Sequence, residues 1–132
     1  MAIYEYAARC LRVVDGDTVD LEVDLGFGMR SIQRFRLMGI DTPELRGGTP
    51  ESKEKAKEAK ARVEQLLIHE VNPQWGDFPI LVHTEKADSF GRYLANVLVF
   101  VDFSNENPHN PQHWTSVSGI LLEEGLAVRY EK

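Results

Sequence analysis

One run of residues constrains this chain more than any other. Val19, Asp20, Leu21, Glu22, Val23, Asp24 and Leu25 alternate strictly between apolar and acidic side chains. Only an extended strand with one buried and one wet face separates two such sets. The strand-like pattern reaches back to Ala7, so 7–25 reads as extended chain, with Asp20, Glu22 and Asp24 as a solvated row. Gly26 and Gly28 around Phe27 supply turn chemistry, and Met29 to Met38 reads as a strand returning from a hairpin. Asp41, Thr42 and Pro43 end the pattern, because proline biases the residue before it away from helix.

A helix follows. Thr49 can cap it, Pro50 suits its first position and Glu51 favours the positive end of its dipole. Ala56, Ala59, Val63 and Leu66 then form one apolar stripe, with Glu51 to Lys55 and Glu58 to Arg62 as supporting pairs opposite, so the helix is expected from about Pro50 to about His69. Pro79–Lys86 and Arg92–Val101 read as two strands joined by a turn at Asp88–Gly91. A polar loop covers Ser104–Gln112, and the nearby His109 and His113 lack Cys or Asp companions, so they read as solvated. A short helix begins near Ser116 or Ser118 and ends at Gly125, before a last apolar segment through Val128. Strands that dominate but are interrupted by helices suit a small, partly open barrel better than a sandwich.

The 132 residues, 42% of them hydrophobic, are expected to form one domain over 1–132 with no room for a second. At this length roughly two thirds of the unfolded chain's surface is buried, enough for a core without a staple. Cys10, the one cysteine, leaves no internal disulfide to form. No stretch approaches the roughly 18 apolar residues of a membrane helix. The opening MAIYEYAARC has no basic segment followed by an apolar one, so a cytoplasmic location is expected, and no membrane partner. Lys and Arg number 15 against 21 Asp and Glu, a net charge of −6. Such a surface repels polyanions over a Debye length of roughly 8 Å. Net charge governs encounter, however, and not what a local site can do.

Three clusters carry potential chemistry. Asp15, Gly16, Asp17 and Thr18 read by themselves as a turn. They are not an EF-hand loop, since Asp20 stands where that loop needs glycine. If the alternation runs unbroken, Asp17 shares the core-facing row of Val19 and Leu21, where a carboxylate must be hydrogen-bonded, paired or metal-bound. The second cluster is Arg36 with Asp41, Thr42 and Glu44. Phe35 and Leu37 aim Arg36 away from their own row, and the oxygen-bearing residues beyond it offer either ligands for a hard cation or a cap with a surface ion pair. The third is Gly91 and Arg92 in a strand turn. Together, two planar guanidinium forks, a carboxylate able to prepare water and a cation site can cleave a phosphodiester, since each neutralises charge on the five-coordinate transition state.

In these motifs, VVDGDT at 13–18, FRLMGIDTPE at 35–44 and FGRYLA at 90–95, with EEGLA at 123–127, the chain resembles the staphylococcal nuclease family over roughly 9–130. The resemblance implies a mainly β, α+β fold: a five-stranded oligonucleotide-binding-type (OB-fold) barrel with one long and one short helix. It also implies calcium-dependent hydrolysis of single-stranded DNA or RNA leaving 3′-phosphate ends, by a monomer. Asp17 and Asp41 match the family's calcium carboxylates, and Thr42 the residue lending a backbone carbonyl; the all-oxygen set admits magnesium too. Glu44 matches the carboxylate that orients or deprotonates water, and Arg36 and Arg92 the phosphate-gripping arginines. With this set present, the family's inactive binding versions are the weaker expectation. Substrate contacts differ: Ser89 and Phe90 stand where the bacterial enzyme has lysine and tyrosine, and Tyr130 stands for a tyrosine pair, so Phe90 and Tyr130 are left to hold the nucleotide. With few spare positive charges, binding is expected to be modest, metal-dependent and less salt-sensitive than for a basic nuclease.

Overall fold

The alternating run forms a strand as its pattern requires, but the extended stretch 7–25 that contains it is two strands. In a computed structural model, residues 4–43, 49–69, 77–87, 93–100 and 114–129 are described. Strand β1 spans Glu5–Asp15, β2 spans Thr18–Gly26 and β3 spans Met29–Leu37. The break the sequence pattern ran through lies at Gly16 and Asp17, where a tight turn sends β2 back antiparallel to β1. Around Phe27 the second turn has three successive positive φ angles, +84° at Gly26, +57° at Phe27 and +75° at Gly28. Two glycines carry that conformation at little cost, whereas Phe27 pays for its Cβ.

Strands β5 (Ile80–Ala87) and β6 (Tyr93–Phe100) complete a barrel in the order β3-β2-β1-β5-β6. It is closed rather than partly open, because β3 returns to β6 in parallel through Phe35↔Tyr93, Arg36↔Leu94 and Leu37↔Ala95. Every other pairing within the barrel is antiparallel. Register shifts between Cys10 and Arg12, and between Val13 and Asp15, bend the eleven-residue β1 around this small cylinder. Val19, Leu21 and Val23 meet Phe35, Leu37, Ile80, Val82, Ala95 and Val97 inside, all buried. Each such side chain contributes about 1.5–3 kcal/mol by leaving water.

The long helix α1, Pro50–Glu64, starts as its sequence directs. Thr49 caps it, accepting from the Ser52 amide, while Ser52 Oγ accepts from the Thr49 amide. It ends earlier than expected as an α-helix, passing into a π-helical turn at Gln65–His69 that leaves both Leu66 and Leu67 buried. Its stripe of Ala56, Ala59 and Val63 is buried. Arg62, read from sequence as a partner of Glu58, reaches across to Glu124, donating from Nε and Nη2 at 2.9 Å each.

After β7 (Trp114–Ser116), the short helix α2, Val117–Glu123, is capped by Ser116 and closes on Gly125. The Leu126 amide donates to Leu121 O and the Gly125 amide to Leu122 O, the paired bonds of a glycine-terminated helix. The chain then places β8, Val128–Arg129, against β4, Ile40–Asp41. No helix among the described residues is long and apolar enough to cross a membrane.

Candidate active site

Arg36 organises this region. It lies on the outer side of β3, between the buried Phe35 and Leu37 and opposite Thr18 of β2. Its Nη1 stands 3.1 Å from Asp17 Oδ2, and its Nη2 donates to Ile40 O at 3.1 Å and to Asp41 Oδ1 at 3.5 Å. Asp17 and Arg36 are shielded, with 14% and 12% of their side chains exposed, while Asp41 is 52% exposed. Asp17 also accepts from Thr18 Oγ1 at 3.1 Å and from the Thr42 amide at 3.3 Å. The expectation of a shielded, partnered carboxylate holds, although Asp17 sits in the turn rather than on an unbroken core row.

Backbone pairing fixes Asp41. Ile40↔Arg129 and Asp41↔Val128 hold the segment as a short strand, and Ser118 Oγ donates to Met38 O at 2.9 Å just before it. Gly16 admits the rest. A Cβ there would lie 2.8 Å from Ala59 Cβ and 2.9 Å from Thr42 Oγ1, so only glycine lets the turn, the helix and the Thr42 segment close together. Sequence reasoning took Gly16 for a turn former; the small Ala59 on the helix stripe was the signal for a close approach.

Thr42 Oγ1 is buried and has no hydrogen-bond partner among the described residues. Asp17 and Asp41 converge on the one positive charge of Arg36, the Thr42 amide joins that segment to Asp17, and the oxygens these residues offer are all hard. Asp17, Asp41 and Thr42 therefore fit a hard divalent cation such as calcium or magnesium. Among the described residues no three His, Cys, Asp or Glu side chains cluster around one point. Glu44, Arg92, Phe90 and Tyr130 lie outside the described residues. The register nonetheless brings the start of β6 to Arg36, since Leu94 faces it and Tyr93 faces Phe35.

The acidic row of β2 is not simply solvated. Asp20 accepts from Arg34 Nε at 2.8 Å and Nη2 at 3.1 Å, and Glu22 pairs with Arg9. The Arg34 hydrogen bond holds Asp20 below the ordinary aspartate range and raises Arg34 in turn. Cys10 is no candidate nucleophile, because burial pushes its thiol up to about 11.

The profile of the family described as Staphylococcal nuclease homologue matches residues 34–132. That span takes in Arg36, Asp41, Thr42, Glu44, Phe90, Arg92 and Tyr130 and starts after Asp17. "Protein ParB" of Escherichia coli is 29% identical over 126 residues, covering 96% of this chain and 58% of that protein. The "Uncharacterized protein MJ1439" of Methanocaldococcus jannaschii is 30% identical over 112 residues, 76% of this chain and 51% of that protein. A micrococcal nuclease of Shigella flexneri is 25% identical over 126 residues, 96% of this chain and 59% of that protein. The chain thus spans between half and three fifths of the length of these relatives.

Proposed function

Because the chain belongs to the staphylococcal nuclease homologue family, we propose that it is a metal-dependent phosphodiesterase acting on single-stranded DNA or RNA. The observation that carries this reading is the convergence of Asp17 and Asp41 on Arg36 beside Thr42. Asp17, Asp41 and the Thr42 carbonyl would hold calcium, with magnesium as the other candidate. When bound, the cation supplies charge neutralisation at the phosphate and a more acidic water. Glu44 would orient a water molecule and take its proton as the oxygen attacks phosphorus in line. The P–O5′ bond breaks, leaving a 3′-phosphate, and the departing O5′ takes a proton from solvent to become the 5′-hydroxyl. Arg36 and Arg92 neutralise the dianionic phosphorane between these events, each offering a planar fork that lysine lacks.

Incubating the protein with single-stranded DNA and RNA, with calcium or with a chelator, tests the reading. Cleavage only with calcium is expected. Glu44→Gln and Arg92→Ala should each lower it by about 10²-fold or more with unchanged circular dichroism. Wild-type rates in either variant would overturn the assigned roles. A strand bound without cleavage in both tubes would instead mark a binding module, the reading that the net charge of −6 and the reduced set of nucleotide contacts favour.

A further inference from the structure

On the inner side of β3, one residue from Arg36, lies a cavity of about 250 Å³. Tyr6, Phe35 and Tyr93 supply its aromatic surface, and Ser31, Gln33 and Thr84 its polar groups. All six are in phase with the barrel's inner rows, so the cavity is the open end of the cylinder where the β2–β3 hairpin overruns its neighbours. Among the described residues, pairing of β3 with β6 runs from Phe35↔Tyr93 onward, and Ser31 and Gln33 precede it on β3.

Its chemistry selects the occupant. Among the described residues that line it none is acidic or basic, so these supply hydroxyl and amide groups and no fixed charge. It is smaller than the roughly 300–1,000 Å³ of drug-sized sites, the size for a single planar ring system. Phe35 and Tyr93 lie 6.2 Å apart with planes tilted by 46°, and Tyr93 is 42% exposed, so a flat ligand can reach it. Gln33 Nε2 donates to Ser31 Oγ at 2.8 Å, which orients the amide and leaves its carbonyl oxygen and second N–H for a ring edge carrying both donors and acceptors. A nucleobase combines these features.

Position gives the connection. Phe35 and Arg36 are neighbours on β3 and face opposite sides of it, so the cavity and Arg36 lie on the two faces of the barrel wall at one point along the strand. We infer that this cavity is a base-binding subsite that seats one base of a single strand at the open end of the barrel, with Tyr93 as the stacking surface and Gln33 reading the base edge. For its substrate class the inference rests on the nuclease reading.

The test is binding of a fluorescent single-stranded oligonucleotide, with calcium, to the full chain carrying Glu44→Gln so that the strand survives. A set of the same oligonucleotide with one abasic position moved along it is measured beside it. Loss of one particular base should weaken binding about tenfold. Tyr93→Leu should weaken the intact strand as much and abolish that abasic penalty. Gln33→Ala, at an exposed side chain, should change the preference among the four bases. Thermal melting checks that each variant folds. Unchanged affinity and unchanged penalties in both variants overturn the subsite. Parallel cleavage by the unmutated chain separates the two readings: Tyr93-dependent binding without cleavage overturns the nuclease and keeps the subsite. Cleavage with Tyr93-independent binding does the reverse, and neither binding nor cleavage overturns both.

Discussion

Two aspartate–arginine pairs lie close together, one across β2 and β3 and one between β3 and the turn before β2, and they behave differently. Arg34 and Asp20 face each other in register and close on themselves, two nitrogens on two oxygens, with Arg34 48% exposed. Arg36 and Asp17 do not close. Arg36 divides its guanidinium among Asp17, Asp41 and the Ile40 carbonyl, while Asp17 shares its oxygens with Thr18 and Thr42. The outer pair satisfies its own charge and is an ordinary surface contact. The inner one is a hub whose charges are spread over several partners and shielded from water, the arrangement that lets a site exchange one partner for another. An ion pair is thus informative by how incompletely it is closed.

The comparison can be broken by exchanging the roles. Arg36→Ala should lower cleavage of a single strand by about 10²-fold or more, whereas Arg34→Ala should leave the rate within a few-fold. Equal losses in the two variants would erase the distinction. Next in size is the packing beneath the hub. Gly16→Ala forces a methyl group against Ala59 and Thr42 and should cost about 1–3 kcal/mol in denaturant unfolding. A neutral result would show that α1 and the turn have room to part. Smallest is Asp20→Asn, at most about 1 kcal/mol at neutral pH. Because the folded-state pKa of Asp20 is lowered, its contribution is whole above the ordinary value of 3.8 and is lost as pH falls through the lowered one. Wild type and variant should therefore differ in stability at pH 7 and converge in strong acid, and a gap that widens on acidification would reverse the assignment.

Local physics made much of this molecule legible in advance. The period of two in β2 identified its inner row, and Thr49–Pro50 marked the start of α1, because both signals are complete within a few residues. The Asp15–Thr18 turn and Asp41–Thr42 segment were readable as candidates for the same reason. Contacts between distant segments were not. The parallel closure of β3 on β6 and the reach of Arg62 to Glu124 depend on which segments meet. So does the pairing of Asp20 with Arg34: alternation shows that Asp20 faces outward, but only cross-strand register shows what stands beside it. The same dependence hid the cavity, whose residues come from all five barrel strands.

The short pairing of β4 with β8 has a consequence in time. Asp41 is held opposite Val128, so one wall of the candidate site waits for a segment that leaves the ribosome long after the barrel strands have done so. Closing so long a loop is entropically costly and comes late when folding proceeds from nearer contacts. A growing chain would then carry a cylinder before it carries a finished site, and any hydrolysis would begin only once its C-terminal segment had docked.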